Sequence, residues 1–477
     1  MQLLDALDYH ARFRAADPAI LHAHGSATFG QLRSAVAAAA ARLRAHRLDA
    51  RRPVGIYVAD AYLHFVLVLA LMHEAIPSFS GQANYEAPPA GVDFGAYLAD
   101  RDLPFAGSVP VVAADPGWLA PAPGQSIGVE RRSFESSKAL ARIIASSGTS
   151  GISKAVAFSP ELIDRGIEFP CKLGSLGEAP SLTTIGLASG LGFRHRLGHL
   201  QLGNLQIFPP GRLGDVLNVI RLYGVKFLTA SPQQLQIMLD LMDAAGLRLP
   251  SLEHVRVAGS IVPRVTIVRT RSRMCPNVTG DYGCTEVGMV AEAPADLLEG
   301  IPGCAGIVHP WNKVEIVDES DRVLPPGSEG SIRIWTPSIV SDYLGTAQGG
   351  DGTLRGGWFY PGDIGQLTAD GVLILLGRAN EVINAGGVKV SPDLIAGTLL
   401  GFGGVRDAAA FGIDYPDRPT EICAAVVSPQ PIDTAALLET CRRILLSRAP
   451  HRIVRVEQIP RNQMGKVLLR ELRQLVG

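Results

Sequence analysis

The chain has 477 residues, 47% of them hydrophobic and 19% charged, which is too long for one ordinary core and too apolar for disorder; two or three globular domains are expected. With 44 basic and 45 acidic residues, the net charge is −1, which excludes a global field that would gather nucleic acid or an anionic membrane surface. Six cysteines without CxxC spacing read as free thiols in a reducing, cytoplasmic compartment.

The opening stretch "MQLLDALDYHARFRAAD" is too charged for a secretory signal. "AVAAAAARLRAH" is a helix by alanine propensity. "RPVGIYVA" reads as a strand, "AYLHFVLVLALMHEA" as a helix and "IPSFS" as a short strand. The apolar run carries His64, His73 and Glu74, so a buried helix is expected; a membrane span needs about 20 apolar residues without such interruptions. Next comes "SSGTSGISKAV" (146–156), where Gly148 and Gly151 free the backbone and five hydroxyls and Lys154 crowd together. It reads either as a phosphate cradle or as a solvated turn. It is not a P-loop of the Gly-Lys-Ser/Thr kind, because Ser153 precedes Lys154 and the "AVAFS" that follows is strand-like. Ser159-Pro160 predicts a helix start.

Further on, "TTIGLAS", "LQIFPP", "VKFLTAS", "HVRVAGS" and "NVTGDYG" read as short buried strands. "GDVLNVIRLYG" and "PQQLQIMLDLMDAAG" read as helices between them. Alternation of this kind predicts mostly parallel, covered sheets. "HRLGH" spaces His195 and His199 four apart but lacks the Glu of HExxH, so packing is the expected role. Arg264, Arg269, Arg271 and Arg273 form either a solvated helix face or a basic surface for anionic partners. From about residue 305, "NKVEIVDES" and "GSIRIWTPS" alternate like half-exposed strands, with a turn at Pro325-Pro326-Gly327. A smaller α+β unit follows "GRANEVI": helix "SPDLIAGTLL", strands "VRDAAAFGI" and "EICAAVVS", helix "DTAALLETCRRILLSR", strand "RIVRVEQIP" and helix "KVLLRELRQLV".

Only seven of the basic residues are lysines (138, 154, 172, 226, 313, 389 and 466). A lysine kept inside a Gly-rich stretch is therefore a candidate for work that arginine's planar fork cannot do. Four further stretches carry chemistry. "GDYGCTEVG" (280–288) puts Tyr282, Thr285 and Glu286 on one tight turn, and a lone carboxylate near phosphates suits Mg²⁺. "GWFYPGDIG" offers Asp363 to ribose hydroxyls. "LLGRANEVINAGGVKVSP" has Arg378 at a strand end and the Gly386-Gly387 pair, and "IPRNQMGKVLLRELR" places Lys466 after a glycine.

The five motifs, in this order from about residue 20 to the end, resemble the adenylate-forming superfamily of acyl-CoA synthetases, nonribosomal peptide synthetase adenylation domains and luciferases. The resemblance implies an α/β fold. Its large multi-subdomain N-terminal domain (1–379) would have mostly parallel sheets and a small β-barrel-like part, and its small mobile α+β C-terminal domain (380–477) would carry the catalytic lysine. It implies that a small-molecule carboxylic acid is activated with ATP and Mg²⁺ to acyl-AMP and pyrophosphate, then passed to the thiol of coenzyme A. A phosphopantetheinyl carrier protein as acceptor stays open, as do a homodimer and a degenerate nucleotide-binding protein without turnover.

By the same resemblance Ser146, Ser147, Thr149 and Lys154 belong to the loop on the β- and γ-phosphates, Thr285 meets the α-phosphate and Glu286 holds Mg²⁺. Tyr282 stacks on adenine beside Asp281, with Gly259 and Ser260 on the other face, and Asp363 and Arg378 take the ribose. Lys466 bridges the carboxylate and the α-phosphate, and Gly386 and Gly387 admit the pantetheine arm. Asn380 stands at the hinge where the family has Asp or Lys, and Ala188 or Ser189 stands near the family's aromatic or His gate. No carboxylate lies near 185–193 to pair an α-ammonium, so the acid is expected to have an uncharged tail, aryl or medium aliphatic.

Overall fold

Capping chemistry sets many of the element boundaries. Thr28 and Gln31 form a reciprocal capping box at the start of the Phe29–Ala45 helix, and Ser231 and Gln234 repeat it before Pro232–Ala245. Asp60 caps the Ala61–His73 helix. That helix is apolar on every side because it is buried on every side. Among the described residues no helix is long and apolar enough to cross a membrane. The structure, a computed structural model, describes residues 2–81, 87–121, 130–147, 153–172, 180–260, 262–345, 352–379, 382–386, 388–415, 418–460 and 467–476.

The chain divides into two compact units. The first comprises residues 1–256, 283–290 and 335–359, and the second 257–282, 291–334 and 360–477.

In the first unit a seven-stranded sheet runs in the order Tyr343–Leu344, Ser153–Phe158, Arg142–Ser147, Ser78–Ser80, Val54–Tyr57, Ala96–Ala99, Val111–Ala113. Its pairs are parallel except at the Ser153–Phe158 strand, which is antiparallel to both neighbours. Val54–Tyr57 and Ala96–Ala99 are buried at every position, as parallel strands covered on both faces must be. The strands Gly25–Thr28, Pro18–His22, Gln206–Ile207, Ser181–Thr183 and Phe227–Ala230 form a second run. It is antiparallel at its first pair and parallel after that.

The second unit is antiparallel where the sequence alternates. Glu329–Trp335, Asp363–Leu367, Val372–Arg378 and Cys304–Val308 pair in that order. Residues 383–476 carry two hydrophobic clusters drawn from themselves alone, on either side of the Asp407–Ile413, Glu421–Val427 and Arg452–Val456 sheet.

The expected elements recur with two shifts. The strand is Ser181–Thr183, so of "TTIGLAS" (183–189) only its first residue is strand. The chain then turns, Ser189 accepts a hydrogen bond from Gly192 N, and the helix Gly190–Leu202 begins. A side-chain cap outweighed the β-propensity of a short apolar run. The last helix begins only at Leu469.

Candidate active site

The hydroxyl-rich stretch joins two strands. Arg142–Ser147 and Ser153–Phe158 pair antiparallel as far as Ser147↔Ser153. Of Ser147 only the backbone is described, and Gly148, Thr149, Ser150 and Gly151 lie outside the described residues. Ser146 stands directly opposite Lys154, and facing residues of a pair point to one side of the sheet. Lys154 Nζ lies 4.8 Å from the centroid of the Tyr343 ring, within cation–π range.

Tyr343 leads to the carboxylate of the second motif. Its hydroxyl donates to Glu286 Oε1 at 3.1 Å and lies 3.2 Å from Thr353 Oγ1. Glu286 is buried, and its carbonyl accepts from Val340 N at 3.0 Å. The turn that carries it is closed by glycine, since a Cβ on Gly283 would sit 2.2 Å from the carbonyl oxygen of Gly288. Gly288 itself has φ +80°, a conformation that only glycine adopts freely. Thr285 packs under the first turn of the Gly190–Leu202 helix, where a Cβ on Gly190 would lie 3.3 Å from its Oγ1. The carbonyl of Thr285 accepts from Arg194 Nη2 at 3.1 Å.

A second set assembles in the other unit. The antiparallel register places Asp363 opposite Arg378, and Arg378 Nε lies 2.8 Å from Asp363 Oδ1. Tyr282 Oη donates to Asp363 Oδ2 at 2.7 Å. Arg378 Nη1 also reaches the Pro361 carbonyl at 3.3 Å. Asp363 is thus a buried carboxylate with a donor on each oxygen. Asp281 is half-buried on the same strand as Tyr282. Gly259 has φ +106° with nothing within 4 Å of the Cβ it lacks, and Ser260 is exposed. Gly386 has φ +63° where Ile383–Ala385 and Val388–Val390 pair as a hairpin, as a two-residue turn demands. Gly387, Asn380 and Lys466 lie outside the described residues.

Two residues missed by sequence reasoning, besides Tyr343, are arginines, one buried and one half-buried. Arg142 is fully buried. It donates to Ser78 Oγ at 3.1 Å, Ser80 Oγ at 2.6 Å and the Leu187 carbonyl at 3.2 Å, the last inside the carboxylate-free 185–193 segment. Burial pulls its pKa down to about 9. Arg194 is the second. The available signal was an arginine set among apolar residues, at the head of a strand in one case and within a helix in the other.

His195 and His199 pack in the core. Their Nε2 atoms are 3.2 Å apart, with Thr229 Oγ1 3.0 Å from His195 Nε2 and Asn204 Nδ2 3.1 Å from His199 Nδ1. No group of three or more His, Cys, Asp or Glu that could hold a metal occurs among the described residues. In the arginine-rich helix Arg264–Arg273, Arg271 pairs with Asp296 and Glu299, and Arg264 bonds the Glu299 carbonyl. Those two charges are met within the chain. All six cysteines are free thiols.

The sequence profile of the AMP-binding enzymes matches residues 97–344, which takes in the hydroxyl-rich hairpin, the 283–288 turn and Tyr343. The chain belongs to the AMP-binding enzyme family. Within that family it is 30% identical over 252 residues to an indoleacetate–CoA ligase of Aromatoleum aromaticum, a match covering 52% of this chain and 49% of that protein. It is 29% identical over 270 residues to a feruloyl-CoA synthase of an Amycolatopsis species, covering 55% and 54%. The matches thus span about half the length of these curated relatives. Among solved folds it superimposes on the o-succinylbenzoate CoA synthetase of Bacillus subtilis, in complex with an acyl-adenylate, with a TM-score of 0.84 at 19% identity over 98% of this chain and 97% of that one. An amide bond synthetase of Marinactinospora thermotolerans gives 0.82 at 24% identity over 98% and 99%. This AMP-binding enzyme therefore has the mixed α/β architecture of the adenylate-forming enzymes, with a large sheet-built N-terminal part and a smaller C-terminal part.

Proposed function

We propose that the chain activates a carboxylic acid with MgATP to acyl-AMP, releasing pyrophosphate, and then transfers the acyl group to the thiol of coenzyme A. The observation that carries this reading is the meeting of Lys154, Tyr343 and Glu286, residues brought together from distant parts of the chain. A cation suited to terminal phosphates and a buried hard-oxygen carboxylate share one aromatic ring.

The Glu286 donor set fits Mg²⁺. It is a carboxylate with Oε1 bonded to Tyr343, and no group of three or more His, Cys, Asp or Glu competes with it among the described residues; Mg²⁺ takes one or two carboxylates and fills its octahedron with water and phosphate oxygens. When bound, the ion would neutralise charge on the phosphates. The chain's own groups bind and orient. Lys154, with Ser146, Ser147 and Thr149, takes the β- and γ-phosphates, and the Thr285 hydroxyl takes an α-phosphate oxygen. Tyr282 takes adenine beside Asp281, opposite Gly259 and Ser260. Asp363, already fixed by Arg378 and Tyr282, accepts from ribose hydroxyls without having to be oriented first. Lys466 stabilises the charge that builds as the acid's oxygen attacks phosphorus and pyrophosphate leaves. Gly386 and Gly387 give the pantetheine arm room in the second step, for which residues 380–477 act as the mobile domain. The acid has an uncharged aryl or medium aliphatic tail, because the 185–193 segment offers no carboxylate to an ammonium.

The test is a panel of carboxylic acids assayed for pyrophosphate release, with coenzyme A, a phosphopantetheinyl carrier protein, or a simple amine as acceptor. Aryl and medium aliphatic acids should give ATP–pyrophosphate exchange, and coenzyme A should raise turnover. Signal from amino acids alone would reject the substrate class. Acceleration by the carrier protein or the amine, but not by coenzyme A, would reject the acceptor. Lys466→Ala should lower adenylation by about 10²–10³, the usual cost of one lost charge-stabilising donor, and should spare thioester formation from supplied acyl-AMP.

A further inference from the structure

We infer that Arg194 is a positioning residue that holds the Thr285–Glu286 turn in the shape that receives the α-phosphate and Mg²⁺. The inference rests on the roles proposed above for Thr285 and Glu286.

Arg194 projects from the Gly190–Leu202 helix, and the turn shapes its surroundings. Nη2 donates to the Thr285 carbonyl at 3.1 Å. The Cβ that Gly288 lacks would lie 3.3 Å from Nη1, and the one that Gly166 lacks would lie 3.1 Å from Nε. Two glycines on separate elements thus leave room for one guanidinium. The Phe158 ring, at the end of the strand that begins at Ser153, lies 5.1 Å from Cζ. Arg194 therefore touches the strand leaving the phosphate-loop hairpin, the helix that follows it and the 284–288 turn. Burial draws its pKa down to about 10, opposed by the nearby Cys284 and Glu286, so it carries its charge at neutral pH.

Arg194 is half-buried, and a cation held partly out of water is costly compared with a packed apolar side chain. An aliphatic residue here would fill the same space, but it would leave the Thr285 carbonyl without its donor and remove the positive charge near Glu286. Both losses fall on the residues that face the nucleotide. Supporting groups of this kind orient the ligands in front of them, and removing one costs about 10–100-fold in metal affinity or activity.

The experiment compares wild type, R194M, R194K and T285A in the full chain. It measures ATP binding by calorimetry with and without Mg²⁺, the Mg²⁺ concentration at half-saturation, and Tm. R194M should weaken MgATP binding about 10–100-fold and raise the Mg²⁺ requirement, with far less effect on ATP without the metal. R194K should recover most of the loss. In the double variant R194M/T285A the losses should be strongly non-additive, because both act through one turn. If R194M does not fold, R194Q, which keeps a donor for the Thr285 carbonyl, takes its place, and the same raised Mg²⁺ requirement is expected. Wild-type MgATP affinity in R194M, or in R194Q where it is used, or strictly additive losses in the double variant, would overturn the inference. Failure of wild type to bind MgATP would instead overturn the reading of Thr285 and Glu286 on which it stands.

Discussion

Asp363 shows how one carboxylate is readied by its neighbours. Arg378 and Tyr282 each occupy one of its oxygens, so its direction is set by two donors on separate segments. Asp363→Asn removes the charge that holds Arg378, and one of the two donors then faces an amide N–H. The expected outcome is a loss of nucleotide affinity of about tenfold or more, since a broken charge-assisted bond in a buried place costs about 1.5–3 kcal/mol; equilibrium titration with ATP checks it. Gly283 is a sharper case. With a Cβ placed 2.2 Å from the Gly288 oxygen, Gly283→Ala must open the turn that carries Thr285 and Glu286. MgATP binding should fall while the circular dichroism spectrum keeps its native shape.

At the scale of elements, the Gly190–Leu202 helix is the instructive one. A Cβ on Gly192 would lie 2.2 Å from the Gly186 oxygen, so Gly192→Ala should displace the 186–189 turn and, under the proposed function, raise KM for the acid more than KM for ATP. The Thr434–Leu445 helix is simpler. Asp433 accepts from Ala435 N at 2.9 Å and Ala436 N at 3.1 Å, so Asp433→Ala should cost about 1 kcal/mol, read as a lower denaturation midpoint. The Pro160–Lys172 helix was legible in the sequence, because the Ser159-Pro160 pair announces a helix start locally. The Gly190–Leu202 helix was not, because Arg194, His195, Arg196 and His199 interrupt the apolar stripe that would reveal it, and Arg194 and His195 find partners far off in sequence. The same reason divides the site. Glu286, Asp363 and Arg378 lie in motifs whose glycines mark them, whereas Tyr343 lies 57 residues from the carboxylate it serves and no local pattern marks it.

The whole molecule carries an unusual load of buried histidine. Burial pulls His64 down to about 4 and His199 to about 3, and it pushes His195 well below its ordinary value; neighbouring arginines act in the same direction. In the unfolded chain these groups take up protons near pH 6.5, while the folded chain refuses them until about pH 4 at His64 and about pH 3 at His199, with His195 shifted the same way. The unfolded state therefore binds more protons over that window. Stability is intact above about pH 6.5 and falls as the pH is lowered, by about 1.4 kcal/mol per pH unit for each such histidine. Tm measured from pH 7.5 to 4.5 should decline steeply below 6.5, and His64→Gln should flatten the decline.

Tyr343 presents two surfaces. Its ring face hosts an ammonium, and its phenolic rim steadies an acid group. Exchanging it for phenylalanine would part them: the flat surface survives for Lys154, while Glu286 and Thr353 lose the hydroxyl. A defect confined to the metal, with amine-directed labelling of Lys154 unaltered, would be the mark of a single side chain serving two chemistries through two different parts of itself.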